Sequence, residues 1–145
     1  MGQYYLIVNI DKKEYIHPHK FGDGLKLLEF GASSCGTMTG LAILLADGNG
    51  RGGGDLRSDH TIIGSWAGDR IVVAGDYADE GKFISENEGD PAINLYDYAE
   101  EHFEDVSEAV ITAMCDDGDI KEALQDAPFG QGLRPEVVTE EVKNG

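Results

Sequence analysis

The chain has 145 residues, with 11 Lys and Arg against 28 Asp and Glu, a net charge of −17. That balance leaves no basic face to neutralise phosphates, which excludes direct nucleic-acid binding and adhesion to an anionic membrane surface. There is no apolar run of the ~18 residues that a membrane span needs. Met1–Leu6 also lacks the basic and apolar regions of a secretory leader, so the expected location is cytoplasmic.

With 41% apolar residues, a chain of this size can bury a core without disulfides or structural metals. The two distant cysteines, Cys35 and Cys115, read as reduced, small apolar side chains. Tyr4–Ile10 is rich in aromatic and β-branched residues and apolar on both faces, which predicts a central strand. Asp11–Lys13 is a polar turn. Glu14–His17 returns as a second strand of a hairpin, ended by Pro18, which has no ladder donor. Phe21–Gly24 is a turn, and Leu25–Phe30 predicts a short helix.

Ser33 and Ser34 are candidate caps for a helix over Cys35–Ala46, which Gly36 and Gly40 weaken or pack closely. Asp47–Asp59 is a loop dense in Gly and Asp. Thr61–Trp66 predicts a strand, Ala67–Asp69 a turn and Arg70–Gly75 a strand, together a second hairpin. Asp76–Pro91 is polar loop with a local element at Phe83–Ile84. Asn94 caps an amphipathic helix in which Leu95, Tyr98, Ala99, Phe103, Val106, Val110 and Met114 recur at helical spacing. Asp105–Ser107 is a point at which that helix can divide. Asp119 and Glu122 form a capping-box pattern for a short helix to Ala127, stopped by Pro128. Residues 128–145 read as an extended tail in which Val137–Val138 could add an edge strand. The expected fold is α+β in a single domain over 1–145. Its antiparallel sheet has about four strands, made of two hairpins, with helices packed on one face.

The loop 47–59 holds the densest set of candidate site residues. It begins like an EF-hand calcium loop at Asp47, Asn49 and Gly52, but Arg51 and Ser58 stand where oxygen ligands are needed. A less regular divalent-cation site would use Asp47, Asn49, Asp55 and Asp59. No other cofactor is expected. Alternatively, glycine amides could form a concave nest for an anion, gripped by Arg51 and Arg57, with Asp55 in the same loop as a further ligand-binding candidate; Trp66 is a separate candidate, as a ligand-stacking residue or interface anchor. His17 and His19 have a spacing used by some metal sites, with Asp23 or His60 as a third ligand. Each group also has a plainer role: turn geometry for the glycines, surface positions for the histidines, core packing for Trp66.

Charge is distributed unevenly. Residues 1–75 carry seven Lys and Arg against eight Asp and Glu, a net of −1, whereas 76–145 carry four against twenty, a net of −16. An anionic helical face of this kind attracts a basic protein surface, or serves only solubility. The leading expectation is a binding module for a basic protein partner. The alternative is a small ligand- or divalent-metal-dependent enzyme built on loop 47–59. Gly22–Gly31 (GDGLKLLEFG) and Gly64–Tyr77 (GSWAGDRIVVAGDY) resemble a family of small bacterial proteins with no assigned activity. The likeness covers roughly residues 1–115 and implies no catalytic or binding residue.

Overall fold

The opening hairpin forms as its apolar alternation predicts. Strand β1 (Tyr5–Asn9) pairs antiparallel with β2 (Glu14–Ile16), setting Ile7 opposite Ile16 and Val8 opposite Tyr15. The buried Asn9 closes the turn, its Oδ1 accepting from the backbone N–H groups of Asp11 and Lys12. The computed structural model describes residues 2–33, 35–84 and 92–125. The expected tail 128–145, with Val137 and Val138, lies outside the described residues, as does Ser34. After β2 the chain makes a 3-10 turn over Pro18–Phe21, then α1 (Leu27–Gly31) and α2 (Thr37–Leu45).

The second hairpin does not form. Strand β3 (Ile71–Gly75) pairs antiparallel with β1, setting Leu6 opposite Ala74 and Val8 opposite Val72. Thr61–Asp69 is a run of turns, not a strand. Gly64 and Gly68 sit at φ +74° and +85°, in the left-handed region that glycine reaches without strain. Bonds of the i to i+3 kind, such as Ala67 N–H to the Gly64 carbonyl, curl the segment. β1 is apolar on both faces and therefore suited to partners on both edges.

The expected long acidic helix divides at the point noted, into α3 (Leu95–His102) and α4 (Ser107–Cys115), with β4 (Glu104–Asp105) between them. β4 runs parallel to β2, so the sheet order is β3-β1-β2-β4 and the sheet is mixed, not purely antiparallel. Helix α5 (Gly118–Gln125) follows. Its N-terminal cap is Asp117, whose Oδ1 accepts from Asp119 N–H; Asp119 itself lies inside the helix.

Helices cover both faces of the sheet instead of one. Ile7 and Ile16 point to a core completed by Phe30 of α1, Leu44 of α2, Trp66, Ile111 and Met114 of α4, and Leu124 of α5. Leu6, Val8 and Ala74 point the other way, against Leu95, Tyr96 and Ala99 of α3. Alternation along a strand makes both statements necessary once neighbouring positions are all apolar. The cap of α2 also differs from expectation. Ser33 bonds back to the Phe30 carbonyl, while the N–H and hydroxyl of Thr37 both donate to Asp23 Oδ2 at 2.7 Å. No disulfide joins Cys35 and Cys115. No helix among the described residues is long and apolar enough to cross a membrane.

Candidate functional site

The loop after α2 is built to hold itself. Asn49 and Leu56 bond in both directions, side-chain amide to carbonyl and backbone N–H to Oδ1, which ties the two limbs together. The glycine amides do form a nest, but Asp55 occupies it. Its Oδ2 accepts from Gly50, Arg51 and Gly52 N–H at 2.8, 3.0 and 3.1 Å. Those N–H groups, Gly50 first, hold the Asp55 carboxyl below its ordinary pKa.

Arg57 is engaged in the same way. Its Nε and Nη2 donate to the two oxygens of Asp117 at 3.2 and 3.1 Å, and Nη2 lies 3.5 Å from Asp119. Ser58 donates to Asp116 at 2.6 Å. The loop is therefore clamped to the α4–α5 junction, and Asp117 serves as both helix cap and arginine partner. The Arg57 hydrogen bonds lead in moving the Asp117 carboxyl from its ordinary value of 3.8 down to about 2. A depressed folded-state value means the clamp is fully present above pH ~4 and is lost as pH falls toward 2. Carbon-detected NMR should show Asp117 titrating near the lower value, and Arg57→Gln should return it toward 3.8. An unchanged midpoint in that variant would remove the clamp from the argument.

Beside the loop lies a cavity of about 280 Å³, lined among others by Asp47, Asn49, Arg51, Ser58, Asp59 and His60. Four of the candidate residues, Asp47, Asn49, Arg51 and Asp59, thus converge. Arg51 is exposed and makes no ion pair among the described residues. Asp55 and Arg57 line a different, wider cavity of about 570 Å³ with Gly52–Gly54 and Asp117.

No group of three or more His, Cys, Asp or Glu is arranged to hold a metal ion among the described residues. His17 and His19 are neighbours, with ring centroids 5.5 Å apart. His17 Nδ1 accepts from His19 N–H at 3.3 Å, which caps the 3-10 turn and uses one of the lone pairs a metal would need. Burial, then His19, lowers the His17 pKa and favours the neutral ring. Trp66 is 0% exposed and its Nε1 donates to Glu14 at 2.8 Å, so its ring packs the core and is not presented to a ligand.

The second polar feature is the surface of α3 and β4. Asp97, Glu100, Glu101 and Glu104 are all exposed. None pairs with a lysine or arginine among the described residues, whereas Lys12 holds Asp69, Lys20 holds Asp105, and Arg70 holds Asp11. The uncompensated charge is felt nearby: burial first, then Glu100, Asp76 and Asp97, push the Tyr96 hydroxyl up to about 12. The late carboxylates do not share one surface. Those of α3 lie across the sheet from α4 and α5, where Asp116, Asp117 and Asp119 hold the loop.

No family model matches the chain, no curated protein matches it, and no solved structure matches it.

Proposed function

We propose that the protein is a binding module that receives a basic protein segment on the exposed acids of α3 and β4. The carrying observation is the set Asp97, Glu100, Glu101 and Glu104, exposed and without a lysine or arginine partner among the described residues, Glu101 facing only His102 at 3.7 Å, while the neighbouring acids hold Lys20. Such an unpaired anionic patch attracts lysine- and arginine-rich segments and does so less as salt rises.

A ligand site on loop 47–59 is less well supported, because the glycine nest and Arg57 already hold the chain's own carboxylates, which leaves only the cavity lined by Arg51. A melting temperature raised by phosphate or Mg²⁺, and no longer raised in Arg51→Ala, would move the assignment to that cavity.

The test uses a lysine- and arginine-rich peptide as probe. Glu100→Gln, Glu101→Gln and Glu104→Gln together should weaken binding about tenfold at low salt. Asp79→Asn, Glu80→Gln and Glu122→Gln make the same charge change elsewhere and should alter binding by less than about twofold. Equal losses in the two variants would reduce the effect to net charge and discard the site.

A further inference from the structure

We propose that Asn49 is a modification site, deamidated by its own backbone, whose rate is set by the Asp55 nest and whose product unties the loop. Asparagine is thermolabile, because the backbone nitrogen that follows it can attack its side-chain carbonyl. Attack is easiest when that nitrogen belongs to glycine, which has no Cβ to crowd the approach. Among the described residues Asn9 precedes Ile10 and Asn94 precedes Leu95, and Asn49 alone precedes a glycine.

The reaction needs only the loop and water. The Gly50 nitrogen gives up its proton, bonds to Asn49 Cγ and expels the side-chain nitrogen as ammonia. Water then opens the cyclic imide at either of its carbonyls. The chain is left with aspartate, or with isoaspartate, in which the backbone runs through the former side chain.

Both reacting groups are held in this structure. The Gly50 N–H that must lose its proton donates to Asp55 Oδ2 at 2.8 Å. The Asn49 amide that must swing toward it is tied to Leu56 at both ends. Its Nδ2 donates to the carbonyl at 3.0 Å and its Oδ1 accepts from the N–H at 2.9 Å. Arg51 and Gly52 N–H fix the same Asp55 oxygen, so Gly50 turns only when the nest gives way. Attack therefore requires the exposed loop to open first, and its rate follows the population of the open state.

The product holds the loop less well than asparagine does. Aspartate has no N–H for the Leu56 carbonyl and sets an oxygen against it. Isoaspartate also adds a methylene to the backbone directly before Gly50, which shifts the nest N–H groups off Asp55. Either product brings a further negative charge to the cavity lined by Asp47, Asp59 and Arg51. The ammonia is lost, so modified chains accumulate with age.

Mass spectrometry of the digested full chain, after incubation in mildly alkaline buffer, measures aspartate and isoaspartate at position 49. The native chain should react about tenfold or more slowly than the same chain in guanidinium chloride, because each hydrogen bond that must open lowers the reactive population several-fold. Asp55→Ala, which empties the nest, should raise the native rate about fivefold with an unchanged melting profile. Asp55→Asn keeps an acceptor oxygen and should restore most of the protection. Asn49→Asp, the product itself, should speed amide exchange at Gly50–Gly52 and Leu56 about tenfold and leave β1 unaffected. Equal rates in the native and unfolded chain overturn the proposal, as does protection that Asp55→Ala leaves intact. Exchange in Asn49→Asp that matches the parent overturns the claim that the product unties the loop.

Discussion

Replacing Trp66 with Ala is expected to lower stability by about 3–5 kcal/mol. Domains of this kind are stable by only about 5–15 kcal/mol in total, so the melting temperature should fall by roughly 10–20 °C. Trp66 heads the fully buried side chains by size and lies in the core that joins β1 and β2 to α2, α4 and α5. Its removal leaves a hole that the surrounding Ile, Leu and Phe side chains fill only in part. The turn run 61–69 keeps the backbone bond from residue 66 N–H to the Leu44 carbonyl but loses the side chain that anchors it in the core. Ile63 and Gly64 of that run line the loop cavity, so the damage should reach the loop. Trp66→Phe keeps most of the bulk and loses the bond to Glu14, a change of about 1–2 kcal/mol. Urea melts of the three proteins, followed by far-ultraviolet circular dichroism, measure both steps. If Trp66→Ala stays within about 1 kcal/mol of the parent, the core assignment is wrong.

The limits of sequence reading follow from the range of each interaction. β1 was legible because its residues are apolar on both faces, and that pattern belongs only to a central strand. Its second partner was not. Arg70–Gly75 reads plainly as a strand, but Gly68 and Asp69 suggested a local hairpin, whereas the strand reaches back more than sixty residues to Tyr5–Asn9. The interruption between α3 and α4 was only half visible. Phe103 and Val106 keep the helical spacing, so periodicity runs through a break that Asp105 makes by accepting from Ser107 N–H. The loop was found for its glycines and charges, and Asp47, Asn49, Arg51 and Asp59 do meet at one cavity. That Asp55 fills the nest was within reach of local reasoning, because the nest and the carboxylate are five residues apart at most. That Asp117 holds Arg57 across sixty residues was not.

Asp23 holds a partner 14 residues further along the chain, and Asp23→Ala should cost about 3 kcal/mol or more. Thr37 is 0% exposed and offers both a backbone N–H and a hydroxyl to the single oxygen Asp23 Oδ2. Removing the carboxylate leaves two buried donors without an acceptor, each costing about 1–3 kcal/mol, and uncaps the positive end of α2. Asp23→Asn keeps one acceptor oxygen and should cost less, about 1 kcal/mol. The same contact explains Gly36, which stands at the N-cap of α2. A Cβ there would stand 2.5 Å from Asp23 Oδ2 and push the cap away. Gly36→Ala should therefore destabilise the parent but add little once Asp23 is already Ala. Denaturation of the two single variants and the double variant closes the cycle. Additive costs would mean that the glycine is required for some reason other than the cap.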